Sequence, residues 1–321
     1  MGSQDKTSEI DIRWDHIKGT DWEAALRAVP YAAYQQNFTY GSVIAEMGTQ
    51  IHRAEIMVDG TPIGLAQMQV RRWFGLFTFC LIMRGPLWLQ EGLSLEVKAA
   101  ALKKLSDTVP VKGLHTVFIM PEGSDDGATK AAGLSCIMSG YHTVLLDLTA
   151  DEDTLRKRLN GKWRNRLKAS EKEDLTITPM GKTPGKYQWL LEAEEKHQEQ
   201  AGYRALPTAM VPAYHKALGK KSVLAYEAKR SDERVGAMLF LRHGENATYH
   251  IGWASDAGKE MNIHNRLLWE SMLTLKKAGV RIIDLGGINT DYIPGIARFK
   301  IGTGGEVLSM SGTWTKGPRW R

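Results

Sequence analysis

Alternating apolar and polar positions predict strands in the first third of the chain. The candidates are His52–Val58, Thr61–Arg72 and Leu76–Met83. Asp59 and Gly60 stand between the first two runs, and an Asp-Gly pair in this place predicts a hairpin turn. A helix is predicted over Leu93–Val109, where Leu95, Ala99, Leu102 and Leu105 share one face, and a strand follows at His115–Met120.

The second half repeats this order of strands, helix and strand. Strands are predicted at Ser222–Lys229, Arg234–His243 and Thr248–Trp253, then a helix over Asn265–Ala278 and a strand over Val280–Leu285. The repetition predicts an α/β (α+β) protein of two similar units in tandem, each a mixed sheet flanked by helices. We divide the chain into domains at 1–148 and 149–305, and expect the tail 306–321 to pack back on the first domain.

A basic helix is predicted where the second half begins. The sequence Thr149-Ala150-Asp151-Glu152 has the pattern of a capping box, and the helix after it carries an apolar residue every four positions. Gly161 weakens the middle of this helix and marks the point where it can split into two. The basic side chains on the other faces include Lys162, Arg164, Arg166 and Lys168. Such a face is either a solvated surface or a contact for the phosphates of RNA or of a diphosphate substrate.

Composition narrows the class of protein. Of 321 residues, 43% are hydrophobic and 24% charged, as in soluble globular proteins, and no apolar run is long enough to span a bilayer. The polar start lacks the apolar core of a secretory signal, so we expect a cytoplasmic protein. The net charge of +6 favours polyanionic partners. Cys80 and Cys136 form neither a disulfide framework nor a metal site, and we expect both to be buried thiols.

The most distinctive segment is rich in glycine and runs from Gly279 to Trp314. It reads GVRIIDLGGINTDYIPGIARFKIGTGGEVLSMSGTW. A strand ends in Gly286-Gly287, a loop with a Pro-Gly pair follows, and Phe299-Lys300 comes before Gly304-Gly305. Glycines let the backbone approach a ligand closely. We predict that Phe299 and Lys300 lie in a loop between these glycines, where the lysine is well placed to meet negative charge.

This segment resembles the C-terminal motif of the Fem family, the aminoacyl-tRNA-dependent transferases that build peptidoglycan cross-bridges and share the fold of GNAT acyltransferases. The resemblance implies two tandem GNAT-like domains and transfer of an aminoacyl group to an amine. It implies that Lys300, after Phe299, stabilises the oxyanion. It also implies a phosphate-binding arginine, matched by Arg204. The further substrate-binding candidates are Tyr249, Gly286, Gly287, Gly304 and Gly305.

The donor remains open between two classes. The stretch SDAGKEMNIHNRLL before the predicted helix has one glycine, Gly258, and lacks the pattern [Q/R]xxGx[G/A] that binds coenzyme A in GNAT enzymes. We therefore expect no cofactor, with aminoacyl-tRNA as co-substrate and a peptide, nucleotide-linked precursor or small amine as acceptor. An acyl-CoA-dependent N-acyltransferase and a non-catalytic module that binds RNA or peptide are the alternatives. No general base is evident, although Tyr249, Asp284 and His250 are candidates to line the cleft.

Overall fold

The structure is a computed structural model that describes residues 9–124, 127–181, 183–201, 207–288 and 294–320. The chain divides into two compact units. The first unit is Met1–Tyr141 with Ser309–Arg321, and the second unit is His142–Leu308.

The helices and strands follow one another in similar order in the two halves. In the first half they are β1 Ile10–Trp14, α1 Gly19–Leu26, α2 Phe38–Glu46, β2 Gln50–Val58, β3 Thr61–Trp73, β4 Phe77–Met83, β5 Leu87–Trp88, α3 Leu95–Asp107, β6 Leu114–Met120, α4 Ala128–Ala131 and β7 Ser135–Met138. In the second half they are β8 His142–Asp147, α5 Glu152–Arg158, α6 Gly161–Ser170, β9 Thr176–Pro179, α7 Pro184–Ala201, α8 Met210–Leu218, β10 Val223–Arg230, β11 Glu233–His243, β12 Asn246–Ala254, α9 Asp256–Glu260, α10 Ile263–Lys277, β13 Ile282–Ile288, α11 Pro294–Ile301 and β14 Glu306–Ser309. The tail forms β15 Thr313–Thr315 and β16 Arg319–Trp320.

The first unit is built on one mixed sheet with strand order β1-β2-β3-β4-β6-β15-β7, with β16 also beside β6 and β5 beside β3. Strands β2, β3 and β4 form an antiparallel meander, and α3 then connects β4 to the parallel strand β6. Side chains of the sheet and of α3 form one core, with Met68, Ile82, Leu102 and Leu105 at its centre. Burial of this apolar surface is the main force that holds the unit together.

The second unit repeats the plan in the order β14-β8-β13-β12-β11-β10-β9. Strands β10, β11 and β12 are antiparallel, and α10 leads to β13, which is parallel to β12. The core of this unit includes Phe240, Leu267, Met272 and Ile283. The prediction of two mixed sheets flanked by helices is therefore confirmed.

Local predictions were mostly right for strands. The turn between β2 and β3 has positive φ at Asp59 and Gly60, as the Asp-Gly pair indicated. Strand β8, which the sequence division placed in the first domain, pairs with β13 in the second sheet because its Val144 and Leu146 belong to the second core.

Two of the following local predictions, the helix cap and the burial of Cys136, were wrong, and one was confirmed. The N-cap of α5 is Asp151, whose side chain accepts from the amide of Thr154, rather than Thr149. The basic helix divides beside Gly161, as the glycine indicated, because the Asn160 side chain caps a new start at Gly161. Cys80 is buried as expected, but Cys136 is exposed because it lies on β7, the edge strand of its sheet.

Candidate active site

The site lies in the second unit, where the pairing of two parallel strands ends early. Strands β12 and β13 share only the three pairs from Asn246–Ile282 to Thr248–Asp284. In the first sheet, β4 and β6 are paired over six positions, from Thr78–His115 to Met83–Met120. The early end of the β12–β13 pairing leaves room for a ligand between these two strands. At the equivalent position in the first sheet, β4 and β6 are still hydrogen-bonded to each other.

Both strands are irregular at this point. In β12 the register against β11 shifts, so that Tyr249 and Ile251 face consecutive residues and His250 is the extra residue of a bulge. In β13 the register against β8 shifts between Asp284 and Gly287. Bulges re-aim side chains and end strand pairing, and they are frequent beside active sites.

A pocket of about 850 Å³ opens beside these irregularities. This volume is typical of small-molecule sites. Its walls come from β12, from the end of β13 and from helices α6, α7, α9, α10 and α11. The lining residues are Arg166, Glu194, His197, Tyr249, His250, Ile251, Gly252, Ala254, Lys259, Asn262, Ile263, His264, Asn265, Gly287, Gly295, Ile296, Phe299 and Lys300.

Lys300 is the buried cation of this pocket. It lies near the end of helix α11 and is 8% exposed, and its Nζ donates to the carbonyl oxygen of Gly287 at 2.8 Å. Nζ lies 5.9 Å from the centroid of the Tyr249 ring. Burial lowers the pKa of Lys300 from 10.5 to about 8, although the carboxylate of Asp284 opposes this shift. The lysine therefore keeps its proton at neutral pH in a poorly solvated position.

The sequence placed Phe299 and Lys300 in a loop, which is wrong. They lie on α11, which begins with Pro294 at its first position, where proline is favoured because no backbone donor is needed. The ring of Phe299 stacks on Trp163 at a centroid distance of 6.0 Å, and Trp163 Nε1 donates to the Phe299 carbonyl at 3.1 Å. The side chain of Phe299 thus anchors α11 to α6 and also lines the pocket.

Asp284 does not line the pocket but stabilises the backbone next to it. Its Oδ1 accepts from Thr143 Oγ1 at 2.5 Å and from the amide of Gly286 at 2.7 Å. Gly286 has φ of +74°, which glycine adopts without strain. A Cβ at Gly286 would lie 3.6 Å from Lys300 Nζ. The carboxylate therefore holds the β13 bulge, and the bulge sets the position of the Gly287 carbonyl that receives Lys300.

Tyr249 and His250 of β12 also line the pocket. A Cβ at Gly252 would lie 1.8 Å from the Tyr249 hydroxyl oxygen, so only glycine at 252 leaves space for this tyrosine. Burial lowers the pKa of His250 to about 4, which keeps its imidazole neutral at pH 7. Burial also lowers the pKa of His264. Two buried atoms of the lining, His264 Nε2 and Asn265 Nδ2, have no hydrogen-bond partner within the described part of the chain. Such groups are ready to bind a polar ligand.

The four basic residues predicted to bind phosphate are not equivalent. All lie on α6, where Lys162, Arg166 and Lys168 are exposed and Arg164 is half-buried. Arg166 is the one that lines the pocket with Lys300. The α6 helix is therefore connected to the site through a single side chain of this group.

The second pair of predicted substrate glycines lies elsewhere. A Cβ at Gly304 would lie 2.1 Å from the carbonyl oxygen of Arg158, and one at Gly305 would lie 2.7 Å from that of Leu145. These glycines border a separate cavity of about 220 Å³ and are not part of the Lys300 pocket. Close packing of backbones explains both residues. Arg204, the predicted phosphate ligand, lies outside the described residues.

Several lining residues were not anticipated from the sequence. Glu194 and His197 lie on α7, Lys259 lies on α9, and Asn262 directly precedes α10. No motif marks them, since each reaches the pocket through tertiary packing alone. Gly252 could have been found only by noticing a glycine inside a strand, which often marks close approach of another group.

Comparison with known proteins identifies the fold. Residues 155–293 match the sequence model of the family described as acetyltransferase (GNAT) domain. FemX is similar over 95% of this chain and 97% of its own, at 15% identity and a TM-score of 0.76. A tandem GNAT protein of the clavulanic acid biosynthesis pathway is similar over 97% of this chain and 100% of its own, at 15% identity and a TM-score of 0.54. L-PGS from Bacillus licheniformis is similar over 92% of this chain and 90% of its own, at 15% identity and a TM-score of 0.52.

The class that these findings define is a tandem GNAT-type acyltransferase fold. The resemblance to Fem proteins that the glycine-rich segment indicated is confirmed at the level of the fold. A comparison with curated protein sequences gave no match. Together, the fold and the matched domain support transferase activity. No helix in the described ranges is long and apolar enough to cross a bilayer. The described residues also contain no cluster of side chains suited to hold a metal ion.

Proposed function

We propose that this protein transfers an aminoacyl group from aminoacyl-tRNA to an amine and forms an amide bond. The acceptor is a peptidoglycan precursor or another peptide, nucleotide-linked or small amine. The observation that carries the proposal is Lys300, a buried cation at the end of the β12–β13 ladder, inside a pocket of about 850 Å³. The donor implies a cytoplasmic reaction and no further cofactor. The similarity of the fold to FemX supports this choice of donor and acceptor.

The reaction needs little covalent chemistry from the protein because an aminoacyl ester is already activated. The neutral acceptor amine attacks the ester carbonyl, a C–N bond forms, and the carbonyl oxygen becomes an oxyanion. The C–O bond to the tRNA ribose then breaks, and the proton lost by the amine goes to the departing ribose oxygen. Holding both reactants in one pocket and stabilising the oxyanion are the two contributions required.

Lys300 meets the second requirement. With a pKa of about 8, the Lys300 amino group is protonated in roughly nine-tenths of the protein molecules at pH 7. An ammonium has three donors, and Gly287 occupies one of them, so donors remain for an oxyanion. Because the ammonium is buried, its attraction for a developing negative charge is screened less than it would be in water.

The charge of the pocket suits the end of a nucleic acid. Its lining includes Arg166, Lys259 and Lys300, and Glu194 is the single carboxylate among the described lining residues. Lys259 is also paired with Asp256, which does not line the pocket, so Arg166 and Lys300 are the main sources of positive charge. His250 adds no charge at neutral pH. In this proposal the exposed side chain of Arg166 contacts a phosphate of the tRNA, and Lys162, one helical turn before it, extends this basic surface. Arg164 and Lys168 lie on another face of α6.

An acyl-CoA donor is the second candidate, and one observation favours it. Residues 155–293 match an acetyltransferase domain, and the first turn of α10 lines the pocket, as a helix N-terminus suited to a pyrophosphate would. Against it, the one glycine of the preceding segment is used for packing. A Cβ at Gly258 would lie 1.9 Å from the Val235 carbonyl oxygen. We therefore rank aminoacyl-tRNA first.

A donor assay tests the proposal. The purified protein is incubated with radiolabelled aminoacyl-tRNAs and a size-filtered cell extract, and the acid-stable product is measured with and without RNase. We expect RNase-sensitive transfer that is lost in Lys300→Met, and omission of one amino acid at a time then identifies the group transferred. Label that moves from acyl-CoA and is indifferent to RNase would replace the donor. Binding of tRNA without turnover from either donor would indicate the non-catalytic module.

A further inference from the structure

The largest exposed apolar side chains of the first unit gather at one end of its sheet. Strands β3 and β4 meet in a tight hairpin whose last pair is Trp73–Phe77. At its tip Trp73 is 61% exposed, Phe74 80% and Leu76 81%. Isolated exposed apolar residues are ordinary, but three within four positions of a projecting turn are not.

Strand register brings a fourth such residue to the same end. Thr78 of β4 is level with His115 of β6, and Trp320 of β16 lies opposite Leu114. Trp320 is therefore in the same row as Phe77 and is 79% exposed. Trp73 and Trp320 stand three strand spacings apart, roughly 14 Å. Leu76, Phe74 and Trp320 are the most exposed large apolar residues in the described parts of the chain.

Basic residues surround these side chains. Arg71, Arg72 and Lys112 are all exposed and lie at this end of the sheet. Residues 71–77 read RRWFGLF and residues 112–116 read KGLHT, so neither segment contains a carboxylate. The nearby Asp107 is engaged by Lys103 and Arg319. Within the described ranges, no salt bridge joins Arg71, Arg72 or Lys112 to a carboxylate. The surface thus combines apolar tips with positive charge.

The hairpin is formed in advance of any binding. Phe74 and Gly75 have φ of 49° and 69°, as in the tight turn that matches the twist of paired strands, and the Leu76 amide donates to the Trp73 carbonyl at 3.1 Å. The rings of Trp73 and Phe74 lie 5.0 Å apart. A preformed tip loses little conformational entropy when it binds.

We propose that this end of the first sheet, which we name the aromatic end and define as Trp73, Phe74, Leu76 and Trp320 with Arg71, Arg72 and Lys112, docks on an anionic lipid bilayer. Tryptophan favours the level of the lipid headgroups, Phe and Leu favour the acyl boundary, and arginine and lysine are attracted to anionic headgroups. A narrow projecting tip suits insertion between lipids, whereas a stable protein interface needs a broad surface. The proposal does not depend on the aminoacyl-transfer reaction.

Vesicle sedimentation with the full chain tests the docking. The vesicles contain phosphatidylcholine alone or with phosphatidylglycerol in a ratio of about three to one. We expect binding to the mixed vesicles that weakens about tenfold in Trp73→Ser/Phe74→Ser and again about tenfold in Arg71→Gln/Arg72→Gln. Raised salt should weaken the binding of the wild type to the mixed vesicles and should change the binding of Arg71→Gln/Arg72→Gln little.

Met138→Ser is the matched control, since Met138 is 64% exposed on β7 and lies near the opposite end of the sheet. It should bind as the wild type does. Thermal melting of each variant verifies that the unit is folded. Absence of binding to mixed vesicles would overturn the proposal, as would binding that is unchanged in Trp73→Ser/Phe74→Ser. A dimer detected by ultracentrifugation that this variant abolishes, without vesicle binding, would assign the aromatic end to a protein contact instead.

Discussion

Replacement of Lys300 by methionine should separate activity from stability. Methionine has a similar length and no charge, so it fills the space near Gly287 and removes only the ammonium. If Lys300 stabilises the oxyanion, the loss of one such donor costs about 3–4 kcal/mol in the barrier, which corresponds to a 10²- to 10³-fold fall in kcat. Lys300→Arg should keep part of the activity, because the charge remains but its geometry changes.

The same substitution should not destabilise the protein at neutral pH. Burial depresses the pKa of Lys300 from 10.5 to about 8, which represents a cost of about 3 kcal/mol for holding the charge in the folded state. Methionine removes that cost but leaves the Gly287 carbonyl without its donor, a loss of about 1–3 kcal/mol. We therefore expect Lys300→Met to be more stable than wild type by about 1 kcal/mol at pH 7.

The pH dependence of stability is an independent test of the direction in which the pKa of Lys300 is shifted. Because the folded pKa is the lower one, the unfolded chain binds more protons between pH 8 and 10.5, and the stability of the wild type rises with pH in that window. Lys300→Met should lack this rise. Denaturant titrations from pH 7 to 10.5 measure it, with Lys277→Met as the control, since Lys277 is exposed at the far end of α10. Turnover within threefold of wild type would refute the oxyanion role, and a large loss of stability at pH 7 would refute the account of the buried charge.

Three further predictions follow from the same geometry. The kcat of the wild type should fall as pH rises through about 8, where Lys300 loses its proton. This fall should be absent from the pH–rate profile of Lys300→Met, and an identical fall in both proteins would exclude Lys300 as its source. Gly304→Ala should destabilise the second unit by about 2–3 kcal/mol, because φ is +76° and the new Cβ would meet the Arg158 carbonyl, whereas Gly185→Ala, with open space around it, should be neutral or stabilising; equal melting temperatures would contradict this. Arg166→Gln should lower tRNA affinity about tenfold and reduce the salt slope by about one, and Lys168→Gln should have a smaller effect, so equal losses in filter binding would assign the contact to the whole helix rather than to the pocket.

The site was partly predictable from the sequence. The ordered glycines around Phe299-Lys300 indicated the segment that carries the buried cation, and Gly286 and Gly287 do contact its surroundings. Gly304 and Gly305 belong to the same pattern but serve backbone packing. A pattern of glycines indicates only that something lies close to the backbone. It does not distinguish a ligand from another segment of the chain, because both exclude a Cβ for the same steric reason.

What the sequence by itself determined is local. The alternation of apolar residues, the Asp59-Gly60 turn and the order of strands and helix in each half were enough to predict two mixed sheets, because side-chain periodicity follows directly from backbone geometry. Only the tertiary structure decided that β12 and β13 stop pairing after three positions, that Arg166 and Lys300 share a pocket and that Lys300 is buried. Burial and pairing depend on residues distant in the chain, and so does the pKa of the lysine, because the solvent and charges around an ammonium are set by packing rather than by its neighbours in sequence.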